Sequence, residues 1–357
     1  MSDKKESESK ADKYFNMDLM KELCVTNGIS GYEDDIAAIF ERELKDVADT
    51  IERDNMGNII CTKKGKKGKP TVMLAAHMDE IGLMVRYIDD DGFLRFTKIG
   101  GINDQMLQNQ TVTIHTANGD VTGVIGSKPP HITTAEERKK VVPFDKMFID
   151  IGAKDKEEAE TMVSVGDPIT INTIFAEYPH NCFMGKAIDN RAGCYVVMEV
   201  LKRVKTDATV YGVGTVQEEV GLKGARTSAF KLNPDWAFAL DTTLSGDHPG
   251  VKPDEAPGKM GEGPVIVLID AGGRGIITPK KVRDLLINTG DKYDIPYQLE
   301  VGDGGTTDGS VIHLTREGIP TGVFSVPTRY IHTPCSVASA EDIENTIELI
   351  VKAIESL

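Results

Sequence analysis

The 357-residue chain is short of the features that stabilise or localise a protein from outside its own core. Five cysteines, odd in number and without paired spacing, make neither a disulfide framework nor a cysteine-zinc site. Cys24, Cys61, Cys182, Cys194 and Cys335 read instead as buried small apolar groups, with Cys335 near the candidate active centre. No apolar run approaches the roughly 20 residues of a spanning helix, and no hydrophobic secretory signal opens the sequence, so the cytoplasm is the expected address. Basic residues are in deficit: 41 lysines and arginines against 56 acidic residues leave a formal charge of -15. That balance argues against nucleic acid or an anionic membrane surface as the main partner. The one basic stretch, Lys63 to Lys69, lacks interleaved aromatics and reads as a solvated loop.

What remains is an ordinary globular composition, 40% hydrophobic and 27% charged, with 35 glycines that suit tight strand-loop-helix turns. The length favours two domains. Residues 1–13 are too polar to pack and read as a mobile tail, with order beginning at Met17. Helical spacing covers Leu19 to Leu23 and Ile36 to Leu44, and Ile51 to Thr62 reads as a hairpin turning at Met56-Gly57. The run Val72 to Ala76 has the continuous apolar character of a buried parallel strand, and it ends at His77.

From Ile81 to Ile174 short alternating segments and turn signals predict an inserted β unit, with helical pieces near Thr134 to Lys140 and Lys156 to Met162. Strand and helix then alternate to the end. The last helix, from about Glu341, carries Ile343, Ile347, Ile350 and Ile354 on one face, with Ser339 and Asp342 spaced as a capping box. The expected architecture is an α/β catalytic domain from residues 14–80 and 175–357, split by a β insertion at 81–174.

Five potential metal ligands, His77, Asp189, Glu219, Asp241 and His332, stand just past apolar runs or at the head of a helical pattern. In an open α/β sheet the carboxyl edge of the strands is where ligands gather. Each residue alone has an ordinary explanation: Asp189 as a helix N-cap, Asp241 as a turn residue, the histidines as loop residues, Glu218-Glu219 as a solvated tip. Five together point to a metallohydrolase. Histidine and carboxylate suit zinc or cobalt, and a carboxylate can bridge two ions. Asp79, two residues after His77, can orient its imidazole, and Glu218, beside the ligand Glu219, can act as general base.

The motifs AAHMDEIGLMV, KAIDNRAG, VQEEVGLKGA, ALDTT and PTRYIHTP, with SKPPHI and FIDIGA in the insertion, resemble the tetrahedral aminopeptidases of metallopeptidase family 42, also described as glutamyl aminopeptidases or cellulases. The resemblance implies a mixed-sheet α/β/α domain carrying a small PDZ-like barrel that mediates dimerisation. It implies that Asp189 bridges two ions, that His77 and Asp241 complete one site, and that Glu219 and His332 complete the other. Glu218 would be the acid/base and Asp79 the carboxylate behind His77. The implied activity is removal of N-terminal residues from peptides by attack of a metal-bridging water, in a dodecamer built from dimers. Thr306 departs from the glycine expected there in a GGTD segment. A dinuclear deacylase of N-acyl amino acids shares the ligand set and is the alternative, with a self-assembling scaffold carrying an inactive site ranked below it.

Overall fold

The computed structural model describes residues 9–66 and 70–357. Residues 1–8 of the expected tail and 67–69 of the expected loop therefore lie outside the described residues. Val72, Met73, Leu74, Ala75 and Ala76 are all buried, as a strand covered on both faces requires. Among the described residues, eight strands form one mixed sheet in the order Thr50–Arg53, Ile59–Lys63, Thr209–Thr215, Thr71–His77, Trp236–Leu244, Thr321–Thr328, Val265–Ile269 and Gln298–Val301. The strands from Thr209–Thr215 to Thr321–Thr328 are parallel neighbours. Thr215 lies opposite His77 and Asp241 opposite Ser325, so their carboxyl ends open along one edge.

Helices Met17–Val25, Asp34–Leu44, Ile188–Arg203, Lys280–Tyr293 and Ala340–Glu355 feed the larger apolar core on one face of the sheet. On the other face Lys223–Leu232 and Gly309–Ile312 contribute Ala225, Ala229 and Ile312 to a second core. The insertion forms a closed barrel of Gly82–Ile88, Leu94–Ile99, Phe148–Asp150, Gly119–Gly126, Thr111–Thr116 and Pro168–Ile171 around its own buried Leu83, Phe96, Ile114 and Ile149.

Several local expectations are corrected. Lys10–Tyr14 is a helix with Ser9 and Asp12 forming a capping box, and Lys10 reaches Glu348 at 2.5 Å, so packing begins ahead of Met17. The segment near Thr134 to Lys140 keeps only a 3-10 turn, Glu137–Lys139. Helix Lys223–Leu232 was not expected, because it starts from a left-handed Leu222 with no capping side chain and buries mainly Gly, Ala and Ser. Cys335 is exposed and Cys182 half-buried, whereas Cys24, Cys61 and Cys194 are buried.

At the last helix Ser339 accepts from Asp342 N at 3.4 Å, but the reciprocal half of the capping box is missing. The Asp342 carboxylate accepts instead from Gly261 N at 2.7 Å and Gly263 N at 2.8 Å, fixing the approach to strand Val265–Ile269. Asp342→Ala is therefore expected to leave two amides without their acceptor and to cost about 1–3 kcal/mol. A fall in the urea unfolding midpoint measures this; an unchanged midpoint would remove Asp342 from that role.

Candidate metal centre

His77 ends its strand at the carboxyl edge and is 2% exposed. Its Nε2 stands 3.2 Å from Asp189 Oδ1, 3.8 Å from Asp241 Oδ1 and 4.0 Å from Glu218 Oε2. His332 Nε2 stands 3.3 Å from Asp189 Oδ2 and 3.6 Å from Glu219 Oε1. The two oxygens of Asp189 thus face different histidines. All five expected ligands converge here, with Glu218 among them. The tightest groupings are His77, Asp189 and Glu219, and His77, Glu218 and Asp241, with ligand atoms lying within 4.8 Å of one another in each.

The ordinary explanation of Asp189 as an N-cap does not describe it. Its φ/ψ are non-helical, the cap position is taken by Ala187, and Oδ1 is buried without any hydrogen-bond partner despite its approach to His77. Buried acceptors are normally satisfied. An orphaned carboxylate oxygen facing imidazole nitrogen and other acids is a set of converging lone pairs, and a borderline divalent cation fits it. Asp241, expected at a strand end, lies inside Trp236–Leu244, because that strand stays paired with Thr321–Thr328 as far as Leu244 opposite Thr328.

Charge is crowded. Burial, together with Asp189 nearby, pushes the Glu219 carboxyl up to about 7, and burial raises Glu218 well above the usual range. Burial and neighbouring Asp189 also raise Asp241. Burial disfavours charge on His77, but Glu218, Asp189, Asp241 and Asp79 outweigh it and raise the imidazole well above its ordinary value. His332 is raised to about 9, chiefly by Asp189. Asp189 is lowered, since the flanking imidazoles outweigh its burial.

The surrounding sequence supplies the supports. Asp79 O lies 3.1 Å from His77 Nδ1, closer than its own carboxylate at 3.5 Å. The Asp79 carboxylate mainly holds the acid pair, accepting from Glu218 N at 3.0 Å, Glu219 N at 3.2 Å and Ser30 Oγ at 2.6 Å. Residues after Asp189 tie the edge together. Asn190 Nδ2 donates to Leu240 O at 2.7 Å, Arg191 Nε to Met78 O at 2.9 Å, and Cys194 Sγ to His77 O at 3.2 Å. Gly193 is required because a Cβ there would stand 2.3 Å from Asn190 Oδ1.

Sequence reasoning missed Ser30, Glu33 and Asp308. Glu33 accepts from Gln217 N at 3.0 Å, and Asp308 is 3% exposed, accepting from Thr215 Oγ1 at 2.5 Å while its Oδ1 has no partner. The signal was an acid inside the Gly304 to Gly309 stretch, which reads only as a flexible wall. His115 does pair with an acid, Asp120 at 2.8 Å, but across a barrel hairpin away from this edge.

Residues 57–349 match the family described as M42 glutamyl aminopeptidase. A lysyl aminopeptidase of Pyrococcus furiosus is 37% identical over 345 residues, 95% of this chain and 97% of its own. A TET aminopeptidase structure from a marine sediment Thaumarchaeota archaeon aligns with a TM-score of 0.92 at 42% identity, covering 96% of both chains. The TET1 peptidase of Pyrococcus horikoshii, described as assembling into a tetrahedron or a large octahedral shell, aligns with a TM-score of 0.84 at 34% identity over 95% of this chain and 99% of that one.

Because both histidines must be neutral to ligate, cation uptake is expected to release protons and to stabilise the fold. Zinc at about 100 times its Kd should add about 2.7 kcal/mol, seen as a raised melting midpoint that a chelator reverses. Titration calorimetry in two buffers of different ionisation enthalpy reads the protons; identical heats would contradict the site.

Proposed function

The chain belongs to the M42 glutamyl aminopeptidase family, and from that premise we propose that it is a metal-dependent aminopeptidase removing N-terminal residues from peptides. Two divalent cations, zinc or cobalt, would be held by His77 and Asp241 on one side and by Glu219 and His332 on the other, with Asp189 between them. The observation that carries this reading is the division of the Asp189 oxygens between His77 at 3.2 Å and His332 at 3.3 Å. When bound, such cations polarise a scissile carbonyl and acidify water.

The chain's own part is proton handling and support. Glu218, half-buried within 4.0 Å of His77 Nε2 and not needed as a ligand, takes the proton of the attacking water on its carboxylate and delivers it to the departing peptide nitrogen. It can do so because it sits in the pocket while its backbone N–H is fixed by Asp79. Asp79 also stands behind His77 and limits its rotation. The free amino group of a peptide is a cation, and the acid-rich pocket favours it over an acylated terminus.

The barrel serves as a dimerisation module for the α/β unit, and the assembly is a homododecamer built from dimers, a reading supported by the shell-forming TET1 relative. No helix among the described residues is long and apolar enough to cross a membrane.

Aminoacyl chromogenic amides and their N-acyl counterparts, offered to metal-stripped and metal-restored protein, test the activity. Turnover of free-amine substrates only after zinc or cobalt is restored is expected; cleavage of the acylated series alone would establish a deacylase. Glu218→Gln should retain bound metal while turnover falls roughly 10²–10⁴-fold. His332→Ala should lose an ion by elemental analysis. Full activity in Glu218→Gln would assign the proton transfer to another group.

A further inference from the structure

We propose that the Gly100–Gly101 turn of the inserted barrel positions His332 and Glu219, so that their half of the metal centre is assembled only with the barrel docked on the α/β unit. The inference rests on the two-ion reading above and adds residues with no part in its chemistry.

His332 is the most loosely enclosed of the five ligands, with a side chain 40% exposed, against 13% or less for the acids it faces. It lies in a turn rather than a strand, with φ 59°, so no sheet partner fixes its ring. What its ring does meet is Gly101 O, 2.9 Å from Nδ1. A carbonyl oxygen only accepts, so Nδ1 carries a proton, and in the neutral ring that a cation requires the lone pair falls on Nε2, which faces Asp189 and Glu219. The barrel backbone thereby selects the tautomer that ligates through Nε2.

The same turn is shaped to the two ligands by missing side chains. A Cβ on Gly101 would stand 2.8 Å from His332 Nδ1 and 3.1 Å from Cε1. A Cβ on Gly100, whose φ is +81°, would meet Ile81 Cγ2 at 2.9 Å and Glu219 Oε2 at 3.1 Å. Adding one methyl group at Gly101 must therefore swing the imidazole or withdraw the turn, and either movement breaks the hydrogen bond from His332 Nδ1 to Gly101 O. Among the described residues His77 and Asp79 pair with each other, and Asp241 with Thr242 N, rather than with the turn. The effect should fall on one half of the centre.

The test is cobalt(II) titration calorimetry with elemental analysis on the full-length protein. Wild type should take two ions per subunit, while Gly101→Ala should keep one and bind the other roughly 10–100-fold more weakly. His332→Ala should show the same selective loss, and the double variant no further loss, as expected for residues acting through one contact. Gly152→Ala strains another barrel turn, at φ +77° with no atom within 4 Å of the added Cβ, and should retain both ions. Should Gly101→Ala fail to fold, nitrogen-15 NMR of the zinc-loaded wild type decides: a protonated Nδ1 on His332 is expected, and a metal-bound Nδ1 would overturn the inference. Two ions at wild-type affinity in folded Gly101→Ala would also overturn it. A wild type that takes no second ion would instead sink the two-ion reading.

Discussion

The arrangement depends on acids being forced together at the carboxyl edge of a parallel sheet. Asp189, Glu218, Glu219, Asp241 and Asp308 converge around two imidazoles in a pocket where Asp241, Asp308 and His77 are buried and the others half-buried. Repulsion in such a place is not screened as it is on a surface. The fold answers by raising the carboxyls of Glu218, Glu219, Asp241 and Asp308 and by charging the histidines, a compensation that positive ions make unnecessary. A site with this much acid and only two imidazoles carries the charge pattern of a cation receptacle.

Keeping these groups in place has a conformational cost. Ala187, Gln217 and His332 take left-handed backbone conformations two residues before Asp189, at the approach to Glu218, and at one of the two imidazoles of the pocket. Each costs about 1–2 kcal/mol relative to ordinary conformations. The surrounding elements over-determine them: Arg191, fully buried, donates to Met78 O and also to Leu23 O at 2.6 Å and Thr26 O at 2.8 Å. One guanidinium therefore ties the residue after His77 to the C-terminal end of helix Met17–Val25. Lysine could not replace it, since a single ammonium lacks the fork that spans three carbonyls.

The sequence was most legible where physics is local. A continuous apolar run ending in a histidine, as at Val72 to His77, implies both a buried parallel strand and a residue at its carboxyl edge, and parallel neighbours put such residues together. The α/β alternation and the inserted β unit follow from the same patterning, whereas the mixed sheet and the barrel were expected only from the family resemblance. Elements that depend on distant partners were not legible. The small sheet of Ala176–Tyr178, Cys182–Gly185 and Ser336–Ser339 joins segments some 150 residues apart in short pieces without alternation. Asp342 shows the limit clearly: its spacing from Ser339 suits a capping box, yet its carboxylate serves two glycine amides far away in sequence. Asp308 and Ser30 likewise acquire meaning only through Thr215 and Asp79, across the fold.

The point of insertion also matters. The barrel leaves the α/β unit immediately after Glu80, the third residue past His77, and Glu80 is locked by Lys186 Nζ at 2.6 Å, Gly28 N at 3.1 Å and the Arg191 guanidinium at 3.5 Å. Buried ion pairs of this kind contribute little net stability, because desolvation offsets the attraction, but breaking one leaves an uncompensated charge. Their effect is to make alternative placements of the barrel root costly. Gly82 adds a steric constraint, since a Cβ there would lie 2.2 Å from Ile29 Cγ2. These contacts fix the root of the barrel three to five residues from His77, so the direction in which the insertion leaves the sheet is set by the same buried groups that border the pocket.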